Sequence, residues 1–395
     1  MRFLSANIVF PIHLPPILNG VIVVDDNGDI DEVLNPEKEE ISGSIPIERF
    51  SGILCPGFVN THCHLELSHL KGKFTQKKGL PYFIGEMVEN RNEDKEKVIQ
   101  AMIDADAEMY ADGIVAVGDV SNSSVSLDSK KNSRIYYHTF VELFDIFPDS
   151  AGKIFENGLR IEKEFHDQNL NASVVPHAHY TVTNQLMKLI IDHAKKSNGL
   201  LSIHNQETAG ENEMYQYGRG ALIEKLQTMT GAYSNWKYFG KTSLSAFIDK
   251  YYSYVPLQLV HNTFTDLNDI QITLQYPGSI YWCLCVNANQ FIENVLPNIS
   301  LISDEKNKLT IGTDSYASNT SLSILNELLT ISSNFPQINL TNMLSWATLN
   351  GAKFLGIEKI YGSLERGKSP GINLISNVDL IEVRLTGESR VKRII

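Results

Sequence analysis

Through the middle of the chain, short apolar runs end in polar residues and alternate with longer amphipathic stretches. The runs are GFVNTHCH, GIVAVGDV, RIYYHTFVELF, NASVVPHAHYT, LLSIHNQET, PLQLVHNT, SIYWCLCVNAN and LTIGTDS. Between several of them lie stretches such as EDKEKVIQAMIDADAEMYADG and TNQLMKLIIDHAKKSNG, which read as helices. Strands alternating with helices predict parallel strands joined by helical crossovers. Eight such strands match the count of a (β/α)8 TIM barrel, so the expected fold class is α/β. Residues 57–355 come close to the ~250 residues usual for that barrel.

The two ends follow a different pattern. NGVIVVDDNGDIDEVL sets β-branched runs on either side of an Asn-Gly turn, a hairpin signal. In the tail, GSLERGKSPGINLISNVDLIEVRLTG has short apolar runs cut by Gly, Pro and Asn. Both ends read as antiparallel strands able to pair with each other. The expected division is a small β-sandwich domain from residues 1–56 and 356–395 and a catalytic barrel from residues 57–355. One connection stands out: residues 209–254, between the fifth and sixth strands, are long for a compact domain. Such segments are commonly lids or binding loops, and this one leaves a strand at the face where barrel enzymes build their sites.

Composition narrows the function. Of the 395 residues 43% are hydrophobic, enough for a large core, and the net charge is −12 with no basic run. Nucleic acid is therefore not an expected partner, because it needs a cationic stripe. No apolar stretch is long enough for a bilayer, and the N-terminal segment lacks a signal-peptide pattern. The expectation is a soluble cytoplasmic protein with no membrane partner. The four cysteines make no CxxC pair; Cys283 and Cys285 in CLCVNAN give at most two soft ligands and read as packing.

The chemistry lies at the ends of the runs. Strand one closes on His62-Cys63-His64, and alternation along a strand turns both histidines one way and Cys63 the other. Strand five closes on His204, with Glu207 three residues on; strand six closes on His261 and strand eight on Asp314. Each alone is a weak signal, since a lone histidine is more often a satisfied polar residue. Together they place four imidazoles and an acid on one rim. Three neutral imidazoles and a carboxylate suit zinc or another divalent first-row ion such as iron. His62, His64, His204 and Asp314 supply that set, and the ion brings the pKa of bound water from 15.7 toward ~7. Glu207 is placed to act as the general acid, and His261 to orient the attacking hydroxide. Together with Asp314 they make up the expected catalytic group. A two-metal site needs a further bridge, such as a lysine carbamate at strand four. NASVVPHAHYT has no lysine, so one divalent ion is expected.

These residues resemble the amidohydrolase superfamily, and within it the metal-dependent nucleobase and nucleoside deaminases. The likeness rests on PGFVNTHCHLELS, PHAHYTVT, HNQET, HNT, GTDSYASN and the tail GSLERGKSPGINLI, and it covers nearly the whole chain. It implies the same ligands and the same roles for Glu207 and His261, and adds His177 as a contact to bound substrate. It implies hydrolytic deamination of a small heterocycle, most of all an adenine nucleoside derivative. HCHLELS and GTDSYASN lean toward aminodeoxyfutalosine, ahead of S-adenosylhomocysteine or methylthioadenosine. Guanine deamination, formimino deamination and triazine dechlorination are the alternative reactions. A scaffold that has lost catalysis is the alternative from another class, and it predicts missing ligands. Relatives of this kind are often homodimers.

Other residues carry two readings each. Glu66 either accepts hydrogen bonds from a ribose or an amine, or caps the next helix or pairs with Lys71. Trp236 and Tyr215 either stack on a flat heterocycle or form the long connection's own core. Arg219 either pairs with a substrate carboxylate or is a solvated surface arginine. His138, read as ending strand three, either faces the pocket or satisfies a backbone group. His179 stands where many relatives have proline.

Overall fold

The computed structural model describes residues 1–40, 46–234, 236–251, 253–304 and 308–395. The N-terminal stretch forms β1 (Arg2–Val9), β2 (Ile17–Leu18), β3 (Val21–Val24), β4 (Ile30–Leu34) and β5 (Glu48–Pro56). The expected hairpin joins β3 to β4, with Gly28 at φ 89° in its turn. There the Asp25 carboxylate accepts from the amides of Asn27 (2.8 Å) and Asp29 (2.9 Å).

Eight strands follow in the centre: β6 (Phe58–Cys63), β7 (Ile114–Ser121), β8 (Tyr136–Leu143), β9 (Asn171–Pro176), β10 (Leu201–Asn205), β11 (Leu257–His261), β12 (Ile280–Leu284) and β13 (Lys308–Ile311). They match the eight apolar runs one for one. All are parallel, in two four-stranded sheets ordered β6-β7-β8-β9 and β10-β11-β12-β13. The expected single barrel ladder is not continuous. The sheets meet at their carboxyl ends through single bridges, Ala178 with His204 and Cys63 with Asp314. At those seams the His204 amide donates to His177 O (2.9 Å), and the Thr313 and Asp314 amides both donate to His62 O (3.0 and 3.1 Å).

Helices cross between the strands where the amphipathic stretches predict them. Lys95–Ala111 starts on Asp94, whose carboxylate accepts from Glu96 N. Asn184–Ser197 starts on Thr183, which accepts from Leu186 N, and ends on Asn198 at φ 52°. Both caps satisfy amides that the helix leaves without partners. No helix among the described residues is long and apolar enough to cross a membrane.

The chain closes with β14 (Ile372–Ser376) and β15 (Arg390–Arg393). These extend the N-terminal sheet, in the order β15-β14-β5-β1-β3-β4 with β2 beside β1. A sandwich of purely antiparallel strands is therefore corrected: among the described residues the terminal strands form one sheet, and β1 and β5 run parallel. The reason is edge pairing. β14 takes the free edge of β5, Leu374 opposite Leu54, instead of stacking on its face.

The 209–254 connection has a core of its own. Helices Ala209–Tyr217 and Ala221–Thr230 bury Met214, Tyr215, Leu222 and Leu226 together. Tyr215 stacks on Phe239 and gives its hydroxyl proton to His179 O (2.7 Å).

One buried ion pair fixes the chain just beyond the HCH motif. Lys130 Nζ lies 2.6 Å from Asp119 Oδ2, with both side chains fully buried. Asp119 Oδ1 accepts from Leu65 N (2.7 Å), the residue after His64. Ser121 and Thr139 take the remaining ammonium protons. Removing one partner of such a pair strands the other charge and costs about 3–5 kcal/mol. Lys130→Met is expected to lose that much in urea unfolding, and the double change Lys130→Met with Asp119→Leu to recover most of it. A single variant within about 1 kcal/mol of the parent contradicts this account of the pair.

Candidate active site and metal centre

The strand ends bring the predicted donors to one spot. His62 Nε2 lies 3.1 Å from His64 Nε2, and the two stand 3.5 and 3.3 Å from Asp314 Oδ1. The His204 ring centroid is 4.9 Å from that of His62 and 5.5 Å from that of His64. His261 stacks on His204 at 5.4 Å. Donor atoms of His62, His204, His261 and Asp314 all lie within 4.8 Å of one another. That set includes His261, which the sequence assigns to the hydroxide, and not His64, although His64 touches two of its members. Cys63 points away into the core, as alternation requires.

The backbone is specialised for this crowding. His261 and Asp314 hold φ of 75° and 56°, conformations that L residues adopt rarely and that gather at functional sites. Gly312 passes directly behind the site, where a Cβ would stand 2.8 Å from His62 Cβ and from Cys283 Sγ.

The donor chemistry fits a cation. His204 Nδ1 is 2.8 Å from His177 O, and His261 Nδ1 is 2.8 Å from Asn289 Oδ1. Those partners accept, so each Nδ1 carries the proton and each Nε2 keeps a lone pair. Burial lowers the pKa of His62 to about 3, against the opposing pull of Asp314, and that of His204 to about 4, against Glu142. Burial would raise the Asp314 pKa. The hydrogen bond from His62 and the facing imidazoles outweigh it and hold Asp314 well below the usual range. The centre thus sets an ionised carboxylate beside the imidazoles of His62 and His204, whose charged forms burial disfavours.

Glu207 has the opposite character. Its Oε1 lies 3.7 Å from His261 Nε2, and burial, aided by the like charges of Asp314 and Glu293, raises its pKa well above normal. Burial thus favours the protonated form of this carboxyl group.

His64, His204, Glu207, His261 and Asp314 line a cavity of about 520 Å³ whose walls include Leu67, Phe83, Met87, Phe144 and Phe147. His177 lines it, with Nδ1 2.7 Å from Thr181 Oγ1. Three other candidates do not line it. Glu66 is used by the next strand's loop: it accepts from Asn122 N (3.0 Å), Ser123 N (3.2 Å) and Ser123 Oγ (2.8 Å), while Lys71 pairs with Glu108. Trp236 belongs to the core of the long connection, donating from Nε1 to Met214 O (3.1 Å). Arg219 is exposed beside the Tyr217 ring.

Strand three holds a group that the sequence reading missed. His138 is near the start of β8 and bonds to Ser173 Oγ (3.0 Å), outside the cavity. The strand's polar end is Glu142, which lines the cavity beside His177 and His204. Burial pushes its pKa up, but the imidazoles of His177, His204 and His64 and the Asn122 amide bring it to about 2. The signal was its position: it stands at the carboxyl end of its run, as His204 and His261 do in theirs.

Three comparisons bear on this site. The amidohydrolase family model matches residues 53–388. The chain is 26% identical over 328 residues to an adenosine deaminase of Helicobacter pylori, covering 82% of this chain and 79% of that one. It is 25% identical over 357 residues to an aminodeoxyfutalosine deaminase of a Nitratiruptor species, covering 88% and 84%. Its fold is similar to that of a Helicobacter pylori aminofutalosine deaminase solved with methylthio-coformycin, at TM-score 0.84, 22% identity and full coverage of both chains.

The ligand assignment separates cleanly by metal analysis. Asp314→Ala and His62→Ala are expected to lose the bound ion, and His261→Ala to retain it. An Asp314→Ala protein that keeps its ion through gel filtration disproves the assignment. Loss of the ion from His261→Ala transfers His261 to the ligand set.

Proposed function

The chain belongs to the amidohydrolase family and is a hydrolase acting on carbon–nitrogen bonds, and from that premise we propose a metal-dependent deaminase of adenine nucleoside derivatives. In this reading the two parallel sheets act as one (β/α)8 barrel over residues 57–355, with residues 1–56 and 356–395 as the small domain. His62, His64, His204 and Asp314 hold a single divalent ion, zinc before iron, since the tight imidazole and carboxylate set suits zinc well. When bound, such an ion acts as a Lewis acid and makes hydroxide available near neutral pH.

The chain's own residues do the rest. Glu207 gives its proton to the ring nitrogen beside the carbon that bears the amino group. A water oxygen bonds to that carbon, and Glu207 recovers a proton from the water. His261 faces Glu207 with its Nε2 lone pair, held in that tautomer by Asn289. That proton then passes to the amine, the carbon–nitrogen bond breaks and ammonia leaves, while the hydroxyl proton on the same carbon returns to Glu207 and an oxo product remains. One observation carries this reading: the buried carboxyl group of Glu207, 3.7 Å from His261 Nε2, stands beside a donor cluster suited to a cation. The apolar walls suit a flat base and an apolar 5′ substituent. Aminodeoxyfutalosine is the first candidate, supported by the HCHLELS motif and the Nitratiruptor relative, followed by methylthioadenosine and S-adenosylhomocysteine.

The test is a panel of 6-aminopurine nucleosides with metal-loaded protein, read by ammonia release and the shift in purine absorbance. Activity is expected on at least one, with Glu207→Gln at least about 10²-fold slower and its metal content unchanged. Chloride release from a triazine, with no ammonia from any purine, replaces this reading with dechlorination. Full activity in the Glu207→Gln variant removes Glu207 from the proton path.

A further inference from the structure

Glu142 has no part in the chemistry above, yet it is 7% exposed and its carboxyl group sits in the cavity wall. Its two oxygens are placed differently. Oε2 accepts from Asn122 Nδ2 at 3.0 Å. Asn122 is held in that orientation from its other end, because Arg91 Nη2 donates to its Oδ1 at 2.8 Å. Oε1 faces His204 Nδ1 at 3.5 Å. That nitrogen's proton already goes to His177 O at 2.8 Å. Oε1 is therefore an acceptor short of a donor.

His177 is in the matching position. Its Nδ1 is engaged by Thr181 Oγ1, which leaves Nε2 for the cavity. Donor atoms of Glu142, His177 and His204 lie within 4.8 Å of one another. A second cation is a poor occupant, because His204 Nδ1 carries a proton and has no lone pair to give. A carboxylate oxygen is a hydrogen-bond acceptor, and it lines the cavity beside His177, so this corner suits a ligand with closely spaced hydroxyl donors.

We propose that Glu142 and His177 form the subsite for the vicinal hydroxyls of the substrate's sugar, so that the site selects ribonucleosides over their deoxy analogues. The assignment rests on the deaminase reading and deepens it. One hydroxyl donates to Glu142 Oε1 and its neighbour bonds to His177 Nε2. The base then lies toward Glu207 and the 5′ substituent toward the apolar walls. Glu142 is a specificity residue: it moves no proton in the reaction.

The experiment compares adenosine, 2′-deoxyadenosine and 3′-deoxyadenosine with the wild-type protein and Glu142→Gln, by ammonia release. A hydroxyl bonded to a charged group is worth about 10- to 100-fold. The wild type is expected to lose that factor in kcat/KM, chiefly through KM, on each deoxy substrate. Glu142→Gln is expected to lose it on adenosine and to stop distinguishing the three. Equal wild-type rates on all three overturn the proposal. So does a variant that lowers kcat alone by one factor on all of them, which marks Glu142 as a support for His204. Calorimetric binding of inosine and 2′-deoxyinosine to the same metal-loaded proteins gives a second readout. Selective inosine binding that Glu142→Gln abolishes, with no ammonia from any nucleoside, supports the subsite while the deaminase reading fails. Ammonia release without hydroxyl selection leaves the deaminase standing and overturns the subsite. Absence of both overturns both.

Discussion

The centre is built around an unfavourable arrangement: several nitrogen lone pairs and a carboxylate face one another out of water. Such groups repel unless a cation or a proton lies between them. Burial removes the second option, because it disfavours charging His62 and His204. The hydrogen bonds from Nδ1 of His204 and His261 to outer acceptors then fix where the lone pairs point. Neither feature suffices alone. Exposed imidazoles would protonate at mildly acidic pH, and unanchored ones would turn aside.

This arrangement is joined to the fold at its weakest line. The two parallel sheets share no continuous ladder, and the bridges across their facing edges fall at Cys63 with Asp314 and at Ala178 with His204. Both bridges involve or adjoin donors of the centre. His62 O also takes both the Thr313 and Asp314 amides, so the carbonyl of one donor residue positions the carboxylate of another. A cation bound there would cross-link the same seam through side chains. Behind it, Lys130 and Asp119 hold the backbone at Leu65, which keeps His64 from following the chain away.

How far the sequence reveals this depends on what kind of contact is involved. The eight strands, the principal crossover helices and the end-of-strand donors are legible because periodicity and alternation are local properties, and His62-Cys63-His64 is the clearest case. The terminal sheet was read only in part, since a β sequence does not say whether β14 stacks on β5 or pairs with its edge. Glu66 carries two readings in the sequence because its partners, Asn122 and Ser123, come from the next strand's loop. Trp236 does so for a similar reason: an aromatic in a long connection looks the same whether it serves a ligand or its own core. Glu142 is not distinguished by the sequence alone, because the same run also holds His138, four residues earlier.

Three carboxyl groups share one cavity, and their surroundings separate their roles. Asp314 stays ionised because imidazoles face it and His62 bonds to it. Glu142 stays ionised because imidazoles and the Asn122 amide outweigh its burial. At Glu207 burial and the like charges of Asp314 and Glu293 prevail and favour the protonated form. In the proposed reading, side chains of the same chemical type are thus sorted into an anion for a metal, an acceptor for hydroxyls and a proton carrier. The sorting is done by the neighbours each strand end supplies.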